Sequence, residues 1–151
     1  MRQGTGRTKS ADWHAELRSF VVVCDASRAE DQADRIREAW ELCCGLADSV
    51  ASPIRLPSAD RLEALLAVGA FENAVLALLG PQTGYLLSRG GGGLALASVI
   101  LPDSDNDQTA SGETPALALL SALALALLGG MEELARRMDH AVKRPAASLL
   151  N

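Results

Sequence analysis

The apolar and polar positions of the second half of the chain follow a helix–hairpin–helix pattern. An apolar run at helical spacing extends over residues 59–79 and stops at Gly80 and Pro81, a combination that ends helices. Two short apolar runs follow, separated by the four glycines at 90–93. Glycine adopts the positive φ angles of tight turns, so the pattern predicts a β-hairpin over 85–101.

A second apolar helix is predicted after the hairpin and a polar loop. Thr114 suits the N-cap position and Pro115 the first helical position. Residues 115–131 carry no charge, but they are rich in alanine and short for a membrane span, so we interpret them as a buried core helix. Gly129 and Gly130 predict a break or bend, after which helical periodicity resumes.

The first third of the chain predicts one strand and one helix. Residues 20–24 are a continuous β-branched and apolar run, which indicates a buried strand. A helix is predicted from Ser27, because Ser27 and Glu30 have the spacing of a capping box. Its apolar residues recur at steps of three and four, which places them on one stripe: Ala33, Ile36, Trp40, Cys43, Ala47 and Val50.

Ser58 is a good N-cap for the helix over 59–79, and Gly69 marks a candidate break within it. The predicted fold class is α+β, with a small antiparallel sheet packed against three or four helices. The hairpin over 85–101 forms the sheet, and residues 20–24 are the candidate third strand. We predict a flexible basic tail over 1–10, one domain over 11–144 and a flexible C-terminus over 145–151.

Charge is distributed unevenly along the 151 residues. Residues 11–135 carry seven basic and eighteen acidic side chains, whereas both ends are basic. An acidic body disfavours binding to nucleic-acid phosphates and suits a protein partner with a basic surface. Solubility alone is the simpler explanation of the same charge.

Cysteine and histidine usage limits the candidate chemistry. Three cysteines, two of them adjacent, do not make a disulfide framework, and residues 1–19 lack the apolar core of a signal peptide. These features predict a cytoplasmic protein. The two histidines lie near opposite ends of the sequence, with no metal-ligand spacing to the cysteines. We therefore expect no catalytic residues, no metal and no cofactor, and no membrane partner.

Two segments resemble ligand-binding motifs but lack residues or neighbouring elements that those motifs require. The loop with Asp103, Asp105 and Asp107 begins like an EF-hand, but Gln108 and Thr114 occupy the positions that require Gly and Glu. The glycine run at 90–93 leads into a strand, whereas phosphate-binding loops lead into a helix. The sequence has no Gly-x-Ser-x-Gly motif.

The candidate binding residues are carboxylates. They form the polar side of the first predicted helix and the acidic loop, and each set is either a solvated surface or a docking surface for a basic partner. The candidates are Glu30, Asp31, Asp34, Glu38, Glu41, Asp103, Asp105 and Asp107.

The second half of the chain resembles the small acidic chaperones of bacterial type III secretion. The similarity lies in the helix at 71–79, the first strand at 85–88, the second strand at 94–101 with its closing Leu101-Pro102, and the last helix at 117–138. The resemblance implies a non-enzymatic cytoplasmic homodimer that holds an extended segment of a secreted substrate. Apolar residues of the hairpin and last helix would then supply the dimer contact.

We therefore expect a protein-binding protein. Two alternatives remain open at this point. One is an accessory protein of a phage or mobile element that inhibits a basic host protein through its acidic surface. The other is a self-assembling structural protein.

Overall fold

The computed structural model of the protein describes residues 5–49 and 56–143, with side chains for 12–46 and 56–143. These residues form five α-helices, a short 3-10 helix and a three-stranded antiparallel sheet, which confirms the α+β class. The elements in chain order are α1 (Thr5–Ala26), the 3-10 helix (Ala29–Asp31), α2 (Gln32–Ser49), α3 (Ala59–Ala67), α4 (Phe71–Leu79), β1 (Gly84–Arg89), β2 (Ala95–Ile100), β3 (Gln108–Gly112) and α5 (Pro115–Lys143).

The predicted hairpin is confirmed. β1 and β2 pair in antiparallel register, with Gly84 opposite Ile100 and Arg89 opposite Ala95. Gly93 adopts a φ of 87° in the connecting turn, which explains the need for glycine there. One face of β2 is buried under α5, whereas the opposite face of the sheet carries the exposed Leu86 and Leu96.

The predicted third strand at 20–24 is wrong, because these residues belong to α1. Leu17, Phe20 and Cys24 are buried at helical spacing, and α1 packs along α5. The free energy gained by burying these three side chains outweighs the preference of the neighbouring valines for a strand. Two of those valines, Val22 and Val23, remain exposed.

The third strand is instead β3, which pairs with β2. It lies in the segment predicted as a polar loop, and its sequence is Gln-Thr-Ala-Ser-Gly. Ser98 and Thr109 share a hydroxyl hydrogen bond of 2.6 Å across the pair. This polar sequence can form a strand because one face of β3 is open to solvent and the other face packs against α5 through small side chains.

The N-terminal boundary of the predicted domain differs from expectation. Helix α1 begins at Thr5, inside the predicted flexible tail over 1–10, so residues 5–10 are helical. Residues 1–4 and the predicted flexible C-terminus over 145–151 lie outside the described residues. Buried residues between Leu17 and Leu128 form one hydrophobic cluster.

The predicted capping box of Ser27 and Glu30 is wrong. The Ser27 hydroxyl donates instead to the Val23 carbonyl of α1 at 2.6 Å. The Arg28 N–H donates to the Asp31 carboxylate at 3.0 Å, and the Ala29 N–H donates to the Glu113 carboxylate at 2.6 Å. The turn that leads into α2 is therefore capped partly by a residue distant in sequence.

The apolar run over 59–79 forms two helices. Gly69 has a φ of 72° and separates α3 from α4, as its candidate break predicted. The Ser58 hydroxyl accepts the Arg61 N–H at 3.2 Å, which confirms the N-cap. After this break, α4 packs against α3, α2 and α5.

Helix α5 runs without interruption through Gly129 and Gly130, so the predicted break is absent. The Thr114 hydroxyl accepts the Leu117 N–H at 3.2 Å, which confirms the predicted N-cap. Residues 116–124 are all buried against the sheet and neighbouring helices. Among the described residues, α5 is the one helix long and apolar enough to cross a membrane, but its apolar part forms the core of this fold.

Candidate functional site

An open groove lies between α1 and α2. Its volume is about 570 Å³, and its apolar lining includes Trp13, Phe20, Val23 and Leu42. Phe20 is buried at the base, whereas Val23 is 39% exposed. The groove therefore offers apolar surface to solvent between two packed helices.

At one end of this groove, a tryptophan of α1 packs against a glycine of α2. The indole of Trp13 lies directly against Gly45 of α2, where any Cβ would overlap the ring. This contact lets the two helices approach each other closely at that point. Gly45 weakens the helix intrinsically, but it makes room for the largest side chain of the groove.

Carboxylates surround the apolar lining. Glu16 comes from α1, and Glu38 and Glu41 come from α2. Glu38 forms a 3.1 Å ion pair with Arg35, whereas Glu16 and Glu41 form no ion pair with another described residue. The lining residues include no lysine, arginine or histidine, so the groove has an acidic rim.

The other three carboxylates predicted for the first helix do not line the groove: Glu30 and Asp31 lie in the 3-10 helix, and Asp34 lies in the first turn of α2. Asp31 caps the preceding turn through the Arg28 N–H. Asp34 pairs with Arg37 at 3.1 Å, and Glu30 is exposed. Two of these three residues therefore have local structural contacts that account for them.

The acidic loop lies far from the turn before α2. Asp103, Asp105 and Asp107 are exposed, and the preceding Leu101 lies against Gly130 of α5. The turn that carries Glu30 and Asp31 instead contacts Glu113, which precedes α5. Residues 113 and 130 are seventeen positions apart, about 25 Å at the 1.5 Å rise per residue of a helix. None of the three loop aspartates lines the groove with Glu38 and Glu41.

The buried thiols of Cys24 and Cys43 are poorly suited to nucleophilic chemistry. Burial raises the pKa of Cys24 to about 12, and burial likewise raises the pKa of Cys43 to about 12. A thiol with such a pKa is protonated at neutral pH, whereas the thiolate is the reactive form. The described residues contain no group of three His, Cys, Asp or Glu side chains that could hold a metal ion.

Sequence reasoning missed the α1 side of the groove. Trp13, Glu16, Phe20 and Val23 follow one another at steps of three, four and three, which places them on one helical stripe. Interpretation of 20–24 as a strand conceals this spacing. A helical reading of residues 12–24 identifies these residues.

Two further apolar sets are exposed. Leu86 and Leu96 lie on the uncovered face of the sheet, with exposed fractions of 68% and 41%. Leu134, Met138 and Val142 form a row on the second half of α5. Neither set lies beside a described cluster of His, Cys, Asp or Glu side chains that could hold a metal ion.

No protein family model, curated protein or solved structure matches this chain. The groove, the exposed apolar surfaces and the charge of the molecule are therefore the features that bear on its function.

Proposed function

We propose that this protein is a non-enzymatic protein-binding protein and that the α1–α2 groove holds a basic, partly apolar segment of its partner. The supporting observation is the combination of solvent-open apolar surface with the carboxylates of Glu16, Glu38 and Glu41 around it. Apolar contact supplies most of the affinity in such sites, and the acidic rim selects partners of opposite charge.

The most specific form of this proposal is a chaperone that holds a secreted substrate in the cytoplasm, as in type III secretion. Its support is the resemblance of the helix–hairpin–helix block, which corresponds to α4, β1, β2 and α5. Four helical segments precede this block, namely α1, the 3-10 helix, α2 and α3, whereas the resemblance implies one helix and three strands there. The alternative in which the groove inhibits a basic host protein uses the same surface.

A peptide-binding experiment tests the groove. The probe is a labelled helical peptide with leucines at i, i+3, i+4 and i+7 and lysines at its other positions, measured by fluorescence anisotropy. We expect binding that weakens as salt is added, because exposed charge pairs are screened. A matched peptide with glutamates in place of the lysines should bind about tenfold more weakly or not at all.

Two matched double variants locate the binding. Glu16→Lys with Glu41→Lys reverses the rim charges, and Asp105→Lys with Asp107→Lys makes the same charge change on the acidic loop, which does not line the groove. The groove variant should lose binding while the loop variant retains most of it. Equal losses in both variants, or unchanged binding by the groove variant, would contradict the proposal.

A pull-down from the source cells then distinguishes the chaperone from the inhibitor. A secreted substrate captured by the native chain, and not by the groove variant, supports the chaperone. A basic host protein captured in the same selective way supports the inhibitor.

A further inference from the structure

The groove between α1 and α2 has two ends of different chemical character. The two helices are joined by the short turn at 27–31, and Trp13 of α1 lies against Gly45 of α2, so the helices run antiparallel. One end of the groove therefore lies at the contact of Trp13 with Gly45. The other end lies at Val23, ten residues further along α1 and about 15 Å away at 1.5 Å per residue.

Carboxylates of both helices stand at nearly the same level close to the Trp13 end. Glu16 follows Trp13 by three residues on α1, and Glu41 precedes Gly45 by four residues on α2, steps of about 4.5 Å and 6 Å along the groove. Both residues line the groove, and neither forms an ion pair with another described residue. Their negative charge is therefore available to a ligand.

The third carboxylate of the rim is already neutralised. Glu38 precedes Gly45 by seven residues, about 10.5 Å along the groove and level with Phe20. Its Oε2 lies 3.1 Å from Nη1 of Arg35. The Arg35 side chain is only 20% exposed, and its Nε is buried without a hydrogen-bond partner among the described residues. Because neighbouring groups enclose this guanidinium, it stays beside Glu38 and cancels the charge of that carboxylate.

The rim that α1 contributes changes from acidic to apolar along its length. Glu16 and Val23 are seven residues apart, which is two helical turns and about 10.5 Å. Val23 is 39% exposed, and Phe20 is buried at the base between them. The groove therefore presents unpaired negative charge at one end and open apolar surface at the other.

We propose that the groove takes one cationic side chain of the partner between Glu16 and Glu41 and an apolar side chain of the same segment at Val23. In a helical partner segment these two side chains are seven residues apart, because two turns match the length of the rim. Arg35 confines the cation to one end by neutralising Glu38. This inference rests on the proposed function and adds the spacing and the placement of the partner's charge.

Two helical peptides test the spacing. They have the same composition and the same leucine row, with glutamines at the remaining positions. In the first peptide the lysines stand at one end, seven residues from the last leucine, and in the second the lysines are divided between both ends. The first should bind about threefold more tightly or better, because the second places a lysine against the apolar end of the groove. Fluorescence anisotropy measures both.

A nitroxide label on the first peptide tests the placement. A label at the lysine end should broaden the indole signal of Trp13 more than the methyl signals of Val23, and a label at the leucine end should do the reverse. Trp40 is the internal reference, because it does not line the groove and its Nε1 donates to the Pro57 carbonyl at 2.9 Å. NMR spectra of the native chain with each labelled peptide give the comparison.

Substitution of Arg35 tests the neutralisation of Glu38. Arg35→Gln should strengthen binding of the first peptide about two- to fivefold, because it frees a carboxylate of the rim. Arg89→Gln makes the same change in net charge at an exposed strand position outside the groove and should have less effect. The gain from Arg35→Gln should disappear when Glu38→Gln is added, as in a double-mutant cycle. Circular dichroism verifies that each variant remains folded.

A comparison of two glutamates of α2 tests the same point without a change at Arg35. Glu41→Gln should weaken binding of the first peptide about two- to fivefold, and Glu38→Gln should weaken it clearly less. Equal losses in these two variants, equal binding of the two peptides, or a gain from Arg35→Gln that persists beside Glu38→Gln would overturn this inference while leaving the groove as the binding site. Failure of both peptides to bind would overturn the proposed function as well.

Discussion

At the scale of single residues, glycine explains how closely the elements pack. A Cβ on Gly112 would lie 2.6 Å from the Ala118 nitrogen of α5, so β3 can approach that helix only without a side chain there. Gly91 has open space around it and no positive φ angle. The same residue type is therefore essential at one position and replaceable at another.

The first prediction concerns these two glycines. Gly112→Ala should lower the free energy of unfolding by about 1–3 kcal/mol, because the strand must move away from the helix backbone. Gly91→Ala should be neutral within about 0.5 kcal/mol. Urea unfolding of both variants measures the difference, and equal stabilities would contradict the described contact.

The second prediction concerns the buried thiols. The pKa of Cys24 is raised by burial from an ordinary value of 9.0 to about 12, so the folded state holds this proton more tightly than the unfolded state. The corresponding stability is complete below the ordinary pKa and is lost as pH rises from about 9 toward 12. Cys24→Ala should therefore weaken the decline of the unfolding free energy at alkaline pH, measured against the native chain at matched pH values. If the unfolding free energies of the variant and the native chain declined in parallel with rising pH, the burial of the Cys24 thiol would be contradicted.

At the scale of elements, the helices are held by contacts between segments distant in sequence. Glu113, which follows β3, caps the turn before α2. Arg37 of α2 forms a two-point ion pair with Glu63 of α3, with Nε–Oε1 at 2.7 Å and Nη2–Oε2 at 3.0 Å. These contacts fix the beginning of α2 and its position beside α3.

The third prediction concerns the cap. Glu113→Ala should cost about 1 kcal/mol of unfolding free energy, because it removes the acceptor for the Ala29 N–H. Asp105→Ala is the matched control on an exposed loop and should cost less than about 0.5 kcal/mol. Thermal unfolding compares the two variants, and amide hydrogen exchange at Ala29 should accelerate only in the first.

The fourth prediction concerns the Arg37–Glu63 pair. Arg37 lowers the pKa of the Glu63 carboxyl, chiefly through the hydrogen bonds between them. Its contribution to stability is present above the ordinary carboxyl pKa and is lost as pH falls through the lowered value. An NMR titration should show Glu63 titrating below the ordinary range, and Arg37→Gln should return its pKa toward that range. An unchanged titration in the variant would contradict the pair.

At the scale of the whole molecule, α5 joins the other elements. It packs against α1, α2, α4 and the sheet, and residues 116–124 of its first half are all buried. Its second half carries the exposed apolar residues Leu134, Met138 and Val142. One helix therefore acts as core in its first half and as surface in its second.

The fifth prediction separates these two halves. Leu120→Ala should cost about 3 kcal/mol, because it opens a cavity around a fully buried side chain. Leu134→Ala should cost under about 0.5 kcal/mol in the monomer. Chemical unfolding at low protein concentration makes the comparison, and similar costs would contradict the different burial of the two leucines.

The fold was more predictable from sequence than the candidate site. The hairpin, the Ser58 and Thr114 caps and the α2 stripe at Ala33, Ile36, Trp40 and Cys43 follow from local turn chemistry and apolar spacing; the side chains of Ala47 and Val50 lie outside the described residues. The groove combines α1 with α2, and only Glu38 and Glu41 were among its predicted residues. The residues that sequence reasoning missed lie in α1. Its valines favour a strand by local preference, but packing of α1 against α5 makes the segment helical.

Local sequence specifies where α3, α4 and the two hairpin strands begin and end and where α5 begins, because caps, turns and apolar periodicity act within a few residues. Tertiary contacts make residues 20–24 helical, make the polar segment 108–112 a strand, and carry α5 through Gly129 and Gly130. They also determine which carboxylates stand beside apolar surface. The physical reason is that burial and strand pairing depend on residues far apart in the chain, and their free energy outweighs local conformational preferences of a few tenths of a kcal/mol per residue.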